Sequence, residues 1–83
     1  MPFEYAPEAL DILAVHGLQP VPDTPPSVVR AALNDLYRYE IRRLKRRFLA
    51  GEFPKERYLE LVIELRTHYW LLSIPVHRWV RTK

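Results

Sequence analysis

The stretch Pro25–Leu72, PPSVVRAALNDLYRYEIRRLKRRFLAGEFPKERYLELVIELRTHYWLL, decides the fold. In its first half Val29, Leu33, Leu36, Tyr37, Ile41, Leu44 and Phe48 recur at steps of three and four. At 100° per residue those positions share one face, and such regularity belongs to an amphipathic helix rather than a loop. Thr24 offers an N-terminal cap, Pro25 and Pro26 suit a first turn, and Gly51 is the terminator, so a helix is expected over 25–50. Such a helix is about 39 Å long. After Gly51-Glu52-Phe53-Pro54 a second stripe follows on Tyr58, Leu61, Val62, Leu65, Tyr69 and Leu72, predicting a helix over 55–72. A link this short returns the second helix antiparallel beside the first. The expected fold class is therefore all-α: a long helical hairpin with a short N-terminal helix.

Working outward, that short helix is expected over 5–17. Pro7 suits its first turn, Leu10, Leu13 and Ala14 share one side, and His16-Gly17 closes it. Residues 18–24, with Pro20 and Pro22, form a stiff connector. Residues 73–83 form a tail restarted by Pro75, with Ser73 placed to cap a final turn. All of 1–83 reads as a single helical domain.

With 83 residues and no cysteine, neither a disulfide nor a thiolate metal site stabilises the chain. A lone copy this short is marginal, and oligomerisation is a common remedy. Tyr69-Trp70-Leu71-Leu72 point all round a continuous helix, and Trp79 and Val80 add apolar surface nearby. Leu36, Tyr69, Trp70, Leu71, Leu72 and Trp79 are accordingly the expected interface of a homodimer that completes a helical bundle. No apolar run is long enough to span a membrane. Met1-Pro2-Phe3-Glu4-Tyr5 lacks the basic-then-apolar pattern of a signal peptide, so the expected setting is cytoplasmic without membrane attachment.

The net charge of +3 is uneven. Residues 1–27 carry only acids, whereas Arg42-Arg43-Leu44-Lys45-Arg46-Arg47 places five cations in six positions. Arg38, Arg42 and Arg46, with Lys45, form a ridge opposite the apolar stripe that suits nucleic acid or another polyanion. The structural reading is a solvated helix end whose cations complement the dipole. On that reading the like-charged column Glu56, Glu60 and Glu64 faces the ridge of a second copy, or Arg43 and Arg47 of the same hairpin. No aromatic is expected among the arginines to stack on bases.

Glu40 falls inside the apolar stripe, where a carboxylate is costly unless paired or protonated. Arg43 and Arg47, one and two turns on, are its expected partners, and Tyr37 is a candidate donor. Arg30, Glu40 and Arg47 along one edge are the least that an enzyme or an anion-metabolite binder would use. Glu64 and His68 have the spacing of two metal ligands and His77 follows, but no repeated Glu-x-x-His or His-Glu-x-x-His motif accompanies them. Ser27 and Ser73 read as helix-start residues and no Gly-x-Ser-x-Gly is present, so no catalytic, metal or cofactor site is assigned. The function expected is a non-catalytic interaction or regulatory module that self-associates and takes a protein partner. A nucleic-acid-binding dimer is the alternative, and a small enzyme or anion binder around Glu40 comes third.

Overall fold

The computed structural model describes residues 3–81. The Met1-Pro2 start of the acidic leader and the Lys83 charge of the tail lie outside them. The fold is all-α, with three helices in chain order: α1 Pro7–Val15, α2 Pro26–Leu49 and α3 Lys55–His68. Two short 3-10 turns follow, Trp70–Ser73 and Val76–Arg78.

Backbone chemistry sets the ends of α1 and α2. α1 starts at Pro7 and closes at Gly17, whose φ of +78° is the left-handed conformation that costs glycine least. The Gly17 amide donates to Ala14 O and the Leu18 amide to Leu13 O, closing the helix end twice. α2 begins without a side-chain cap: Pro25 stands in extended geometry at the cap position. The Thr24 hydroxyl, expected to cap it, instead accepts the Val21 amide at 3.2 Å and closes the connector on itself. Gly51, at φ +79°, ends α2 as Gly17 ends α1, with Glu52 N donating to Arg47 O.

α3 ends earlier than its apolar pattern predicts. The chain leaves the helix at Tyr69 (φ −106°, ψ 29°) and enters the Trp70–Ser73 turn. The break lets Tyr69 and Leu71 both turn inward, which positions two apart, on nearly opposite sides of a straight helix, do not. Ser73 caps no final turn. Its hydroxyl donates to Trp70 O at 2.6 Å, and Pro75 stands at the start of the second turn.

The core draws on every part of the chain. Tyr5, Ala9, Leu13, Val29, Leu33, Tyr69, Leu71 and Trp79 form one buried cluster, and Leu13, Leu33 and Trp79 are almost without solvent contact. The Trp79 indole satisfies its N–H on Ile74 O at 3.1 Å. The two ends of the chain lie side by side: Tyr5 and Val80 form an isolated antiparallel bridge, Ala6 N donates to Trp79 O, and Arg81 N to Glu4 O. This pairing carries Trp79 into the cluster.

The cluster occupies one end of an elongated body, 50 × 17 × 16 Å. At the cluster's edge Tyr37 of α2 meets Tyr69 at 5.3 Å, and beyond it α2 and α3 pack along each other, Phe48 against Tyr58 at 4.4 Å. In this outer part Leu44 is the one buried apolar side chain among the described residues. Phe48, Phe53 and Tyr58 stack at the far end, with the Arg47 guanidinium 5.4 Å above the Phe53 ring. Among the described residues no helix is long and apolar enough to cross a membrane.

Candidate functional site

Glu40 occupies the position in the α2 stripe that its helical angle requires, but the expected partners are elsewhere. Its Oε2 is buried and meets no hydrogen-bond donor. Arg43 and Arg47 are both exposed, and Arg47 turns away to hold Glu52 at 3.1 Å. The expected Glu40–Arg43–Arg47 pairing is therefore replaced by an orphaned carboxylate oxygen. The reason is reach and solvation: a long guanidinium does better at the wet Glu52 and over Phe53 than bent back into the stripe. The neighbour that Glu40 does have is Tyr69 rather than Tyr37. Burial, and after it the hydrogen bond and charge of Glu40, push the Tyr69 phenol well above its ordinary range.

Glu40 opens onto a cleft of about 460 Å³ between α2 and α3. Arg43, Leu44 and Arg47 line it from α2, one and two turns beyond Glu40. Leu61, Glu64, Leu65 and His68 line it from α3. The cleft thus has an apolar floor, a buried acceptor, two cations and a second carboxylate. Arg30, grouped with Glu40 on sequence grounds, belongs elsewhere: it donates to Leu72 O at 3.0 Å and closes the turn after α3.

His68 also forms a junction that the sequence does not signal. His16, at the end of α1, reaches 52 residues along the chain to place Nε2 3.0 Å from His68 O. Its ring stacks on Tyr69 at 4.2 Å and meets the His68 ring edge-on at 4.4 Å. These contacts tie α1 to the end of α3 where the cleft begins. His77 lies apart in the exposed tail, and among the described residues no three His, Asp or Glu side chains gather as a metal site.

The basic ridge is open. Arg38, Arg42, Lys45 and Arg46 are exposed, and none of them is in an ion pair among the described residues. The acidic column finds its cation within α3 instead, Arg57 lying 3.0 Å from Glu60 and 3.7 Å from Glu64. The leader does not fold onto the ridge either, since Glu4 approaches Arg81 at 4.0 Å. Contrary to the sequence expectation, an aromatic does stand in the ridge: Tyr39, 58% exposed, lies one turn before Arg42 and Arg43.

Of the six residues expected at an interface, Tyr69, Leu71 and Trp79 are consumed by the chain's own core. Leu36 and Leu72 pack against that core, half-buried. Trp70, 43% exposed, is the member left facing solvent. The tail therefore hides more apolar surface than its composition suggested, because pairing with residues 4–6 folds it back on α2. Other exposed apolar side chains are spread over the molecule, at Val15, Val21 and Val28 near the core end and at Leu49, Leu59 and Ile63 on the outer helices. Compared with protein-family models, curated proteins and solved structures, the chain matches none.

Proposed function

We propose that this chain is a non-catalytic interaction module whose α2 and α3 form an antiparallel hairpin arm that pairs with a second copy to complete a helical bundle. One observation carries the reading: α3 buries none of its side chains fully, while Leu59 and Ile63 stand 50% and 62% exposed. A helix of 14 residues gains little from propensity and depends on packing an apolar face. The expected partner surface thereby moves from the tail to the arm. Light scattering and sedimentation at micromolar concentration test this. A dimer that dissociates on Ile63→Glu, with the near-ultraviolet dichroism of the Trp79 core retained, supports it. A monodisperse monomer of full thermal stability overturns it.

A second reading is favoured by the open ridge. Exposed Arg38, Arg42, Lys45 and Arg46 beside an exposed Tyr39 suit the phosphates and bases of a single-stranded nucleic acid. On this reading affinity for a labelled oligonucleotide falls steeply with salt, and Arg42→Glu with Arg46→Glu abolishes it. Binding that ignores both reversals ends this reading.

A further inference from the structure

The cleft beside Glu40 has a mixture of charges that neither proposed reading uses. At about 460 Å³ it lies in the size range of sites for small organic molecules. Leu44, Leu61 and Leu65 give it an apolar floor. Glu40 lines the same cleft, and its carboxylate has one oxygen, Oε2, closed to solvent and without a donor. Buried polar atoms are ordinarily satisfied, so a carboxylate that has Tyr69 as its neighbour but one oxygen without a donor is under-satisfied at the edge of an open cleft.

The cations select among possible donors. A simple cation suits Glu40 but meets the guanidinium groups of Arg43 and Arg47 in the same cleft. A simple anion suits Arg43 but meets Glu40 and Glu64. A molecule carrying both charges satisfies each group; Arg47 already holds Glu52, whereas Arg43 is in no ion pair among the described residues.

We propose that the cleft binds a small amphoteric molecule of the aliphatic α-amino acid class. Its ammonium pairs with the Glu40 carboxylate, its carboxylate lies on Arg43, and its side chain covers Leu44, Leu61 and Leu65. Self-association is not required for this.

Titration calorimetry and amide chemical shifts of the full chain test it with three probes of matched shape: L-leucine, 4-methylpentanoate, which lacks the amine, and 3-methylbutylamine, which lacks the carboxylate. L-leucine is expected to bind saturably and to shift the amides around Glu40 and His68. Each half-molecule is expected to bind at least about tenfold more weakly, as is L-leucine to Glu40→Gln or Arg43→Gln. Equal affinity for the amine, equal affinity for the acid, or no saturable leucine binding overturns the proposal. So does undiminished leucine binding by a folded Glu40→Gln. Should that variant fail to fold, the three-probe comparison on the unaltered chain decides.

Discussion

Replacing Glu40 with leucine measures what its unpartnered oxygen costs the fold. The side chain falls in the apolar stripe of α2 beside Tyr69, and neither neighbouring arginine reaches its Oε2. Exchanging a poorly paired carboxylate for a packed apolar group is commonly neutral or stabilising. Glu40→Leu removes the orphaned oxygen but also the acceptor of the buried Tyr69 phenol, so the two effects oppose. The net change is expected to stay within about 1 kcal/mol, read as a urea midpoint little changed at unchanged slope. A loss well beyond that would mean that the Tyr69 contact outweighs the cost of the unpartnered oxygen. Two tyrosines give a pH dependence at the same scale. Burial raises the pKa of Tyr5 and, with Glu40 adding to it, that of Tyr69 above the ordinary 10.0. The unfolded chain then loses these protons first as pH rises, so it binds fewer protons than the folded one and stability falls. The contribution is complete below about pH 10 and is lost above it. Tyr69→Phe is expected to flatten the alkaline part of a melting-temperature profile; a profile identical to that of the parent chain would refute the assignment.

At the scale of elements, the tail contributes as much to the fold as a helix does. Trp79 is almost solvent-free and its indole N–H is satisfied, so Trp79→Ala is expected to cost about 3–5 kcal/mol, measured by denaturant unfolding. Trp70→Ala, at a half-open site, is expected to cost less than about 1 kcal/mol. Similar costs for the two would sink the distinction between core and surface. Composition alone does not separate these tryptophans. Pro7, Gly17, Pro26 and Gly51 made the ends of α1 and α2 legible, because each acts through its own backbone. The end of α3 was not legible: Tyr69-Trp70-Leu71-Leu72 contains no breaker, and the helix stops there for the tertiary reason that Tyr69 and Leu71 both go inward. The bridge between Tyr5 and Val80 joins opposite ends of the chain without any alternating strand pattern to announce it. Glu40 could be placed from its helical angle, whereas its partners could not. Spacing fixes where an arginine is rooted but not where its long side chain ends.

At the scale of the whole molecule, the core at one end and the thinly buried helices at the other predict an uneven distribution of stability. Local opening follows buried contact, so different segments of one chain exchange their amides at different free energies. The segments around Leu13, Leu33 and Trp79 are expected to open only on global unfolding. The first half of α3, with no buried side chain, is expected to exchange much faster at low concentration. Self-association through the arm adds a second, concentration-dependent term, since a bound partner stabilises only the form it recognises. Raising the protein concentration about a hundredfold above the dissociation constant is worth about 2.7 kcal/mol, enough to slow opening of the arm by about two orders of magnitude. The amides of residues 55–65 should therefore gain protection on concentration. Those of residues 9–13 should gain little, because they are already held by the core. Hydrogen exchange read residue by residue at two concentrations distinguishes the possibilities. Slowing confined to the arm places the second copy on α3. Uniform slowing means that folding and association are one event. Exchange independent of concentration leaves the arm without a second copy, whatever else it binds.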